Sequence, residues 1–171
     1  MGQGSKNVTI VESFEQALQV GAQIKRPMLQ ELLEPSQTEH TCAVVGLSRD
    51  DRRVFTMERV LRGGSSVWVR SVYLKEIEDY CLEVATHLSL RGPINIQLIV
   101  TADGPRLFEI NPRLSSTVLM RDMLGFPDLY WMMELLTGHE PPRRVDPTYG
   151  RVAIRVPSVD LLPDESETWP R

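Results

Sequence analysis

The chain has 171 residues, a length sufficient to bury a hydrophobic core in one domain. Its composition, 42% hydrophobic and 25% charged, is typical of a globular protein. A formal net charge of -4 gives no sign of the basic face that nucleic-acid binding needs. No apolar run reaches membrane-spanning length, and the N-terminus has no signal pattern. Cys42 and Cys81 are isolated within apolar patterns, as expected for reduced core residues. We therefore expect a cytoplasmic protein with neither a nucleic-acid nor a membrane partner.

Apolar periodicity and turn residues predict alternating strands and helices along the chain. In chain order these are a strand at 8–11, a helix through 14–22, an extended segment at 27–33, strands at 39–47, 53–61 and 67–72, a helix over 74–90, strands at 92–100 and from 107, helices through 118–123 and 129–136, and a strand at 151–156. The mixture of hairpins and helices favours an α+β fold, mostly antiparallel, with helices packed on one side.

Helix boundaries are marked by polar caps. Ser13 with Gln16 three residues later predicts a capping box at the first helix, and Ser116 predicts the cap of a later one. Gly138 predicts the end of the last helix. The helix over 74–90 carries an apolar stripe, so it is expected to bury one face.

Polar side chains cluster on the two strands joined by the turn at 101–104. Because strand side chains alternate between faces, Glu109 and Asn111 point the same way, and Gln97 can reach them from the neighbouring strand. These oxygens, with Arg113 just beyond, suit hard cations and a phosphate chain. The alternative is a surface ion pair of Glu109 and Arg113, a simple turn at Asn111-Pro112 and a solvated Gln97.

The same segment resembles the metal-binding core of the ATP-grasp ligases, most closely their carbamoyl-phosphate-synthase-like branch. That branch carries Asn-x-Gln on one strand, then Glu-x-Asn-Pro-Arg and a Ser-rich turn before a helix. The matching residues are Asn95, Gln97, Glu109, Asn111, Pro112, Arg113, Ser115 and Ser116. The resemblance implies the C-terminal lobe of an ATP-grasp domain whose N-terminal lobe is incomplete.

The resemblance also implies a ligand set. Gln97 and Glu109 would hold one Mg²⁺ and Glu109 and Asn111 a second, with Mn²⁺ as the alternative ion. Arg113 and Asn111 would be catalytic, with Arg113 against the transferred phosphoryl group or an acyl phosphate.

A glycine-rich loop at the N-terminus resembles the loop with which ATP-grasp proteins cover the phosphates of ATP. Its cofactor-binding residues would be Gly2, Gly4 and Ser5, because glycines let backbone N–H groups approach an anion closely. The alternative is that this stretch is an expression remnant.

The segment after the first helix resembles the linker that clasps adenine between the two lobes. Its nucleotide-contacting residues would be Gln30, Glu31, Leu32 and Leu33. Glu39 would take the ribose hydroxyls, or would be an exposed carboxylate at the start of a strand. The hairpin at 59–66 is a weaker candidate, in which Arg62 either faces the phosphates or is solvated.

The predicted organisation divides the chain into three parts. Residues 1–33 would be a remnant of the small ATP-grasp lobe, 34–158 the C-terminal lobe with the metal site, and 159–171 a loose tail. Because the pattern begins at the glycine loop, we expect an excised piece, a truncated gene product or half of a split enzyme. Such a piece would have weak or no ligase activity alone, and its partner would be the missing N-terminal lobe or a second copy.

The implied activity of the parent protein is ATP-dependent carboxylate–amine ligation. ATP would phosphorylate a small carboxylate, or bicarbonate, and an amine would attack the acyl phosphate. The alternatives are a nucleotide- or metal-binding module without catalysis, and an interaction domain that keeps only the fold.

Overall fold

The chain is described from a computed structural model that covers residues 8–33, 38–142 and 146–156. Helices and strands alternate much as the periodicity indicates. In chain order they are α1 (Phe14–Gly21), β1 (His40–Gly46), β2 (Arg52–Arg62), β3 (Ser65–Val72), α2 (Lys75–His87), β4 (Gly92–Thr101), β5 (Gly104–Asn111), α3 (Val118–Met123), α4 (Asp128–Leu136) and β6 (Val152–Ile154).

The six strands form one open sheet in the order β5-β4-β1-β2-β3-β6, and each neighbouring pair is antiparallel. Residues within the turns stabilise the first two hairpins. The Ser48 hydroxyl accepts hydrogen bonds from the backbone N–H groups of Asp50 and Asp51 between β1 and β2. Gly63 and Gly64 turn the chain between β2 and β3 at φ of 57° and 76°, values that favour glycine. The predicted α+β class and antiparallel sheet are confirmed.

Strand β1 lies at the centre of the sheet and is buried along its whole length. Its alternate residues serve two apolar cores, one on each face. Cys42 and Val44 pack with the apolar stripe of α2, whose buried residues are Ile77, Cys81 and Ala85. The buried stripe predicted for this helix is therefore confirmed.

The opposite core is aromatic. Ala43 and Val45 of β1 pack there with Phe55 of β2 and with Phe126 and Trp131, from the region of the short helices α3 and α4. The rings of Phe55 and Phe126 stack at 5.2 Å, and Trp131 meets Phe126 edge to face at 4.9 Å. Helix α2 thus covers one face of the sheet, and α3 and α4 contribute to the core on the other.

The two cysteines are free and buried, as expected. The adjacent Cys42 side chain and burial raise the pKa of the Cys81 thiol above its ordinary value. A thiol held in this form is a weak nucleophile, so the pair reads as core packing.

Some local predictions are wrong. Residues 8–11 form no strand; Val8 and Ile10 are exposed, and no described strand pairs with them. Ser116 does not cap α3, whose N-cap position is Thr117, without a side-chain cap bond.

The capping box at α1 is half formed. Ser13 Oγ accepts from the Gln16 N–H at 3.2 Å, but the Gln16 side chain accepts from the N–H of Glu12, one residue before the cap. The final strand is shorter than predicted, Val152–Ile154. The glycine loop, the turn at 34–37 and the tail at 159–171 lie outside the described residues.

Candidate functional site

The hairpin β4–β5 places the polar side chains of the sequence motif side by side. Gln97 lies directly opposite Glu109, and Asn95 directly opposite Asn111. Alternation puts these residues on one face of the sheet, while Ile94, Ile96 and Leu98 of β4 face the core under α2.

A β-bulge explains how β5 serves both faces. The pairing runs from Gln97↔Glu109 to Leu98↔Leu107, so Phe108 is the extra residue in β5. Leu107 and Ile110 both pack against the α2 core, although strict alternation would place them on opposite faces. The bulge lets Leu107 stay in that core while Glu109 turns to the polar face.

The predicted oxygen donors are close together but differ in exposure. Asn111 Nδ2 donates to Glu109 Oε1 at 2.8 Å. Glu109 is exposed, whereas Gln97 and Asn111 are half-buried and both line a cavity of about 70 Å³. Its lining is completed by Thr41, Arg59, Gly64, Ser66, Asn95, Arg113, Ser115, Ser116 and Thr117.

Arg59 is a site residue that the sequence interpretation passed over in favour of Arg62. Its side chain is 8% exposed, and its guanidinium pairs with Glu39 and donates to Gln97 Oε1 at 2.8 Å. Arg62 is exposed at the end of β2. The available signal was the alternation of β2, because Arg59 follows Phe55 and Met57 on an inward-facing row.

The cavity has a positive character. Arg59 and Arg113 line it, and none of its lining residues is a carboxylate. Two acids contact its lining residues: Glu39 pairs with Arg59, and Glu109 accepts a hydrogen bond from Asn111. The arginines thus suit an anion, while the Glu109 carboxylate with the amide oxygens of Gln97 and Asn111 suits a cation.

A buried ion pair supports the wall formed by the Ser-rich turn. Arg121 of α3 and Asp128 of α4 are each 1% exposed, with Nε–Oδ1 and Nη2–Oδ2 distances of 2.8 and 2.7 Å. Arg121 Nη1 also donates to Ser115 Oγ at 2.9 Å and Thr117 Oγ1 at 3.2 Å. Both hydroxyls line the cavity.

The predicted adenine linker runs as an extended segment near β5. Gln30 Nε2 donates to the carbonyl of Phe108, the bulge residue, at 3.1 Å. Glu31 and Leu32 are exposed and Leu33 is half-buried. None of these residues lines the cavity, and Gly2, Gly4 and Ser5 lie outside the described residues.

Among the described residues, no group of three or more His, Cys, Asp and Glu side chains converges as a metal site. The predicted set, one carboxylate with two amides, still offers the hard oxygen donors that Mg²⁺ takes alongside water and phosphate oxygens.

None of the described helices has the length and apolarity to cross a membrane.

Comparison with known proteins decides the family. A family model described as "ATP-grasp in the biosynthetic pathway with Ter operon" matches residues 23–159. The chain belongs to this ATP-grasp family. The match does not single out the carbamoyl-phosphate-synthase-like branch.

Several solved structures share the fold at low sequence identity. An N5-carboxyaminoimidazole ribonucleotide synthetase in its ADP complex matches with a TM-score of 0.55 and 14% identity, over 70% of this chain and 33% of that one. The corresponding synthetase from Staphylococcus aureus, complexed with ADP, gives 0.52 and 13%, over 67% and 33%.

The phosphoribosylaminoimidazole carboxylase ATPase subunit from Aquifex aeolicus gives a TM-score of 0.51 and 17% identity, over 60% of this chain and 35% of that one. The chain therefore spans about a third of the length of these solved structures.

Proposed function

We propose that this chain supplies the ATP- and Mg²⁺-binding lobe of a ligase that activates a carboxylate, or bicarbonate, as an acyl phosphate for attack by an amine. The observation that carries the proposal is the pairing of Gln97 with Glu109 beside Asn111, at the margin of a cavity lined by two arginines. ATP-grasp membership and ADP-bound structures of similar fold support it.

The cation-binding part would be Glu109 with the two amides beside it that line the cavity. Gln97, Glu109 and Asn111 would hold Mg²⁺, or Mn²⁺, through side-chain oxygens, and Gln97 Oε1 would keep one lone pair for the guanidinium of Arg59. The Asn111–Glu109 hydrogen bond uses Nδ2, so the amide oxygen keeps its acceptor capacity. Bound Mg²⁺ would neutralise the charge of the phosphate chain.

The anion-binding part would be the cavity itself. Arg113 would orient the transferred phosphoryl group and the acyl phosphate through charge-assisted hydrogen bonds. Arg59 adds a second positive charge on the floor, held in place by Glu39 and Gln97. Preorganised charge of this kind stabilises phosphoryl transfer without reorganisation in the transition state.

The nucleotide-binding part would be the linker at Gln30–Leu33, next to the bulge of β5. Its backbone would meet the adenine edge, and Glu39 would meet the ribose with the oxygen that Arg59 leaves free. Gly2, Gly4 and Ser5 would cover the phosphates. Domain limits of 1–33, 34–158 and 159–171, and pairing with an N-terminal lobe or a second copy, remain part of the proposal.

The test is calorimetric titration of ATP into the chain with and without Mg²⁺. We expect binding that requires Mg²⁺, and a loss of at least about tenfold in affinity for Glu109→Ala, since even outer-shell changes at metal sites cost that much. Glu83→Ala, an exposed acid on α2, is the matched control and should bind as wild type.

Wild-type binding that ignores Mg²⁺, or a Glu109→Ala variant that binds equally well, would contradict the proposal. ADP release measured with candidate carboxylates and amines then separates a ligase from a non-catalytic module. Mg²⁺-dependent binding without turnover, even alongside an added N-terminal lobe, would favour the module.

A further inference from the structure

Arg121 is a buried cation whose hydrogen bonds extend to the wall of the cavity. Its Nε and Nη2 bind both oxygens of Asp128 in a bidentate pair, and both residues are 1% exposed. This pair would suffice to join α3 to α4. The third nitrogen, Nη1, instead reaches Ser115 and Thr117 in the turn that follows Arg113.

The hydroxyl protons of this cluster can be counted. A guanidinium only donates, so Ser115 Oγ and Thr117 Oγ1 are both acceptors toward Arg121. The two hydroxyls lie 2.7 Å apart, so one of their two protons lies between them. The second proton has no acceptor among the hydrogen bonds of the described residues.

The positive charge of Arg121 repels this proton, so the proton points away from the guanidinium. Both residues line the cavity, so an acceptor placed there can receive it. A buried arginine thus turns a pair of hydroxyls, each able to donate or accept, into an outward-facing donor.

We propose that Arg121 is a positioning residue that orients the Ser115–Thr117 hydroxyl pair to donate to a small oxyanion in the cavity, and that Asp128 fixes Arg121 for this task. The inference rests on the proposed function, in which the oxyanion is the carboxylate substrate or the transferred phosphoryl group. Both sources present the acceptor oxygens that an oriented hydroxyl recognises.

A purely structural ion pair predicts a different response to mutation. Replacing a buried pair by apolar residues of similar volume commonly preserves stability. The double variant Arg121→Met/Asp128→Leu should therefore fold, yet it removes the donor that orients both hydroxyls. Ser115→Ala removes one hydroxyl and leaves the ion pair intact.

The experiment is an NMR titration of the full chain with inorganic phosphate and, separately, with bicarbonate, following the backbone amides of residues 115–117. We expect saturable binding of at least one anion. Ser115→Ala and the double variant should each weaken it about tenfold, the loss expected for one hydrogen bond to a charged group. Combining the changes should add little, because both disable the same donor.

Thr86→Ala, an exposed hydroxyl on α2, is the control for loss of a hydroxyl as such. The preferred anion identifies the source: phosphate indicates the phosphoryl position and bicarbonate the carboxylate position. Wild type that binds neither anion overturns the inference, as does a folded double variant that binds like wild type. The two proposals can fail separately. Mg²⁺-dependent ATP binding by Glu109→Ala tests the proposed function, whereas anion binding by Ser115→Ala tests this inference.

Discussion

Replacing Arg59 by Met tests whether the contacts of Arg59 with Glu39 and Gln97 stabilise the fold around the cavity. The change keeps much of the side-chain volume and removes the guanidinium. Glu39 loses its ion pair, and Gln97 loses a donor at 2.8 Å. Arg62→Met, an exposed arginine at the end of the same strand, is the matched control.

The magnitude follows from the unequal burial of the two partners. Removing one member of a fully buried pair costs about 3–5 kcal/mol, whereas an exposed pair is worth about 0–1 kcal/mol. Here the Arg59 side chain is 8% exposed and that of Glu39 is 30% exposed, so water can partly rehydrate the abandoned carboxylate. We therefore expect Arg59→Met to lower the free energy of unfolding by about 2 kcal/mol.

The assay is urea denaturation followed by far-UV circular dichroism, with Glu39→Gln and the double variant completing a cycle. We expect a coupling free energy of about 1 kcal/mol between the two positions. Arg62→Met should change stability by less than about 0.5 kcal/mol. A loss from Arg59→Met no larger than that of Arg62→Met, or a coupling near zero, would refute the reasoning.

Two further predictions concern the frame around the site. Burial first, and then Asp79, raise the pKa of Glu78 to about 7 from an ordinary 4.5, so the folded state holds its proton more tightly and stability falls as pH rises through this window. Glu78→Gln should therefore raise the free energy of unfolding by about 1 kcal/mol more near pH 8 than near pH 5, after allowance for the partial exposure of Glu78. A melting temperature that shifts equally from that of the wild type at both pH values would disprove this. At Gly46 an added Cβ would overlap the backbone carbonyl of Leu90. Gly46→Ala should therefore lower the free energy of unfolding, measured by urea denaturation, by about 2 kcal/mol. An unchanged denaturation midpoint would contradict that contact.

The β4–β5 hairpin and its polar face could be predicted because the relevant rule is local. Alternation along each strand places Gln97, Glu109 and Asn111 without reference to the rest of the chain. The bulge at Phe108 could not be predicted in the same way, since Leu107 and Phe108 are both apolar and either could face the core. Propensity misled at residues 8–11, because β-branched side chains favour a strand only where a neighbouring strand pairs with them.

The burial of Arg59 and Arg121 depends on tertiary packing. Arg59 is a charge on an inward-facing row, and only the neighbouring Glu39 and Gln97 make its burial tolerable. Arg121 and Asp128 lie on separate short helices, and the corner between these helices brings them together. Alternation could place Arg59 on its inward-facing row, but no period or motif in the sequence indicates the partners of Arg59 or of Arg121.

The position of β5 at the margin of the sheet has a consequence for how the molecule associates. An edge strand presents unpaired N–H and C=O groups, which invite strand addition by another polypeptide. Gln30 engages one such group, the carbonyl of Phe108. A foreign strand docked along β5 would lie beside Glu109 and Asn111. The edge of the sheet at β5 must therefore resist strand addition and at the same time leave these two side chains accessible.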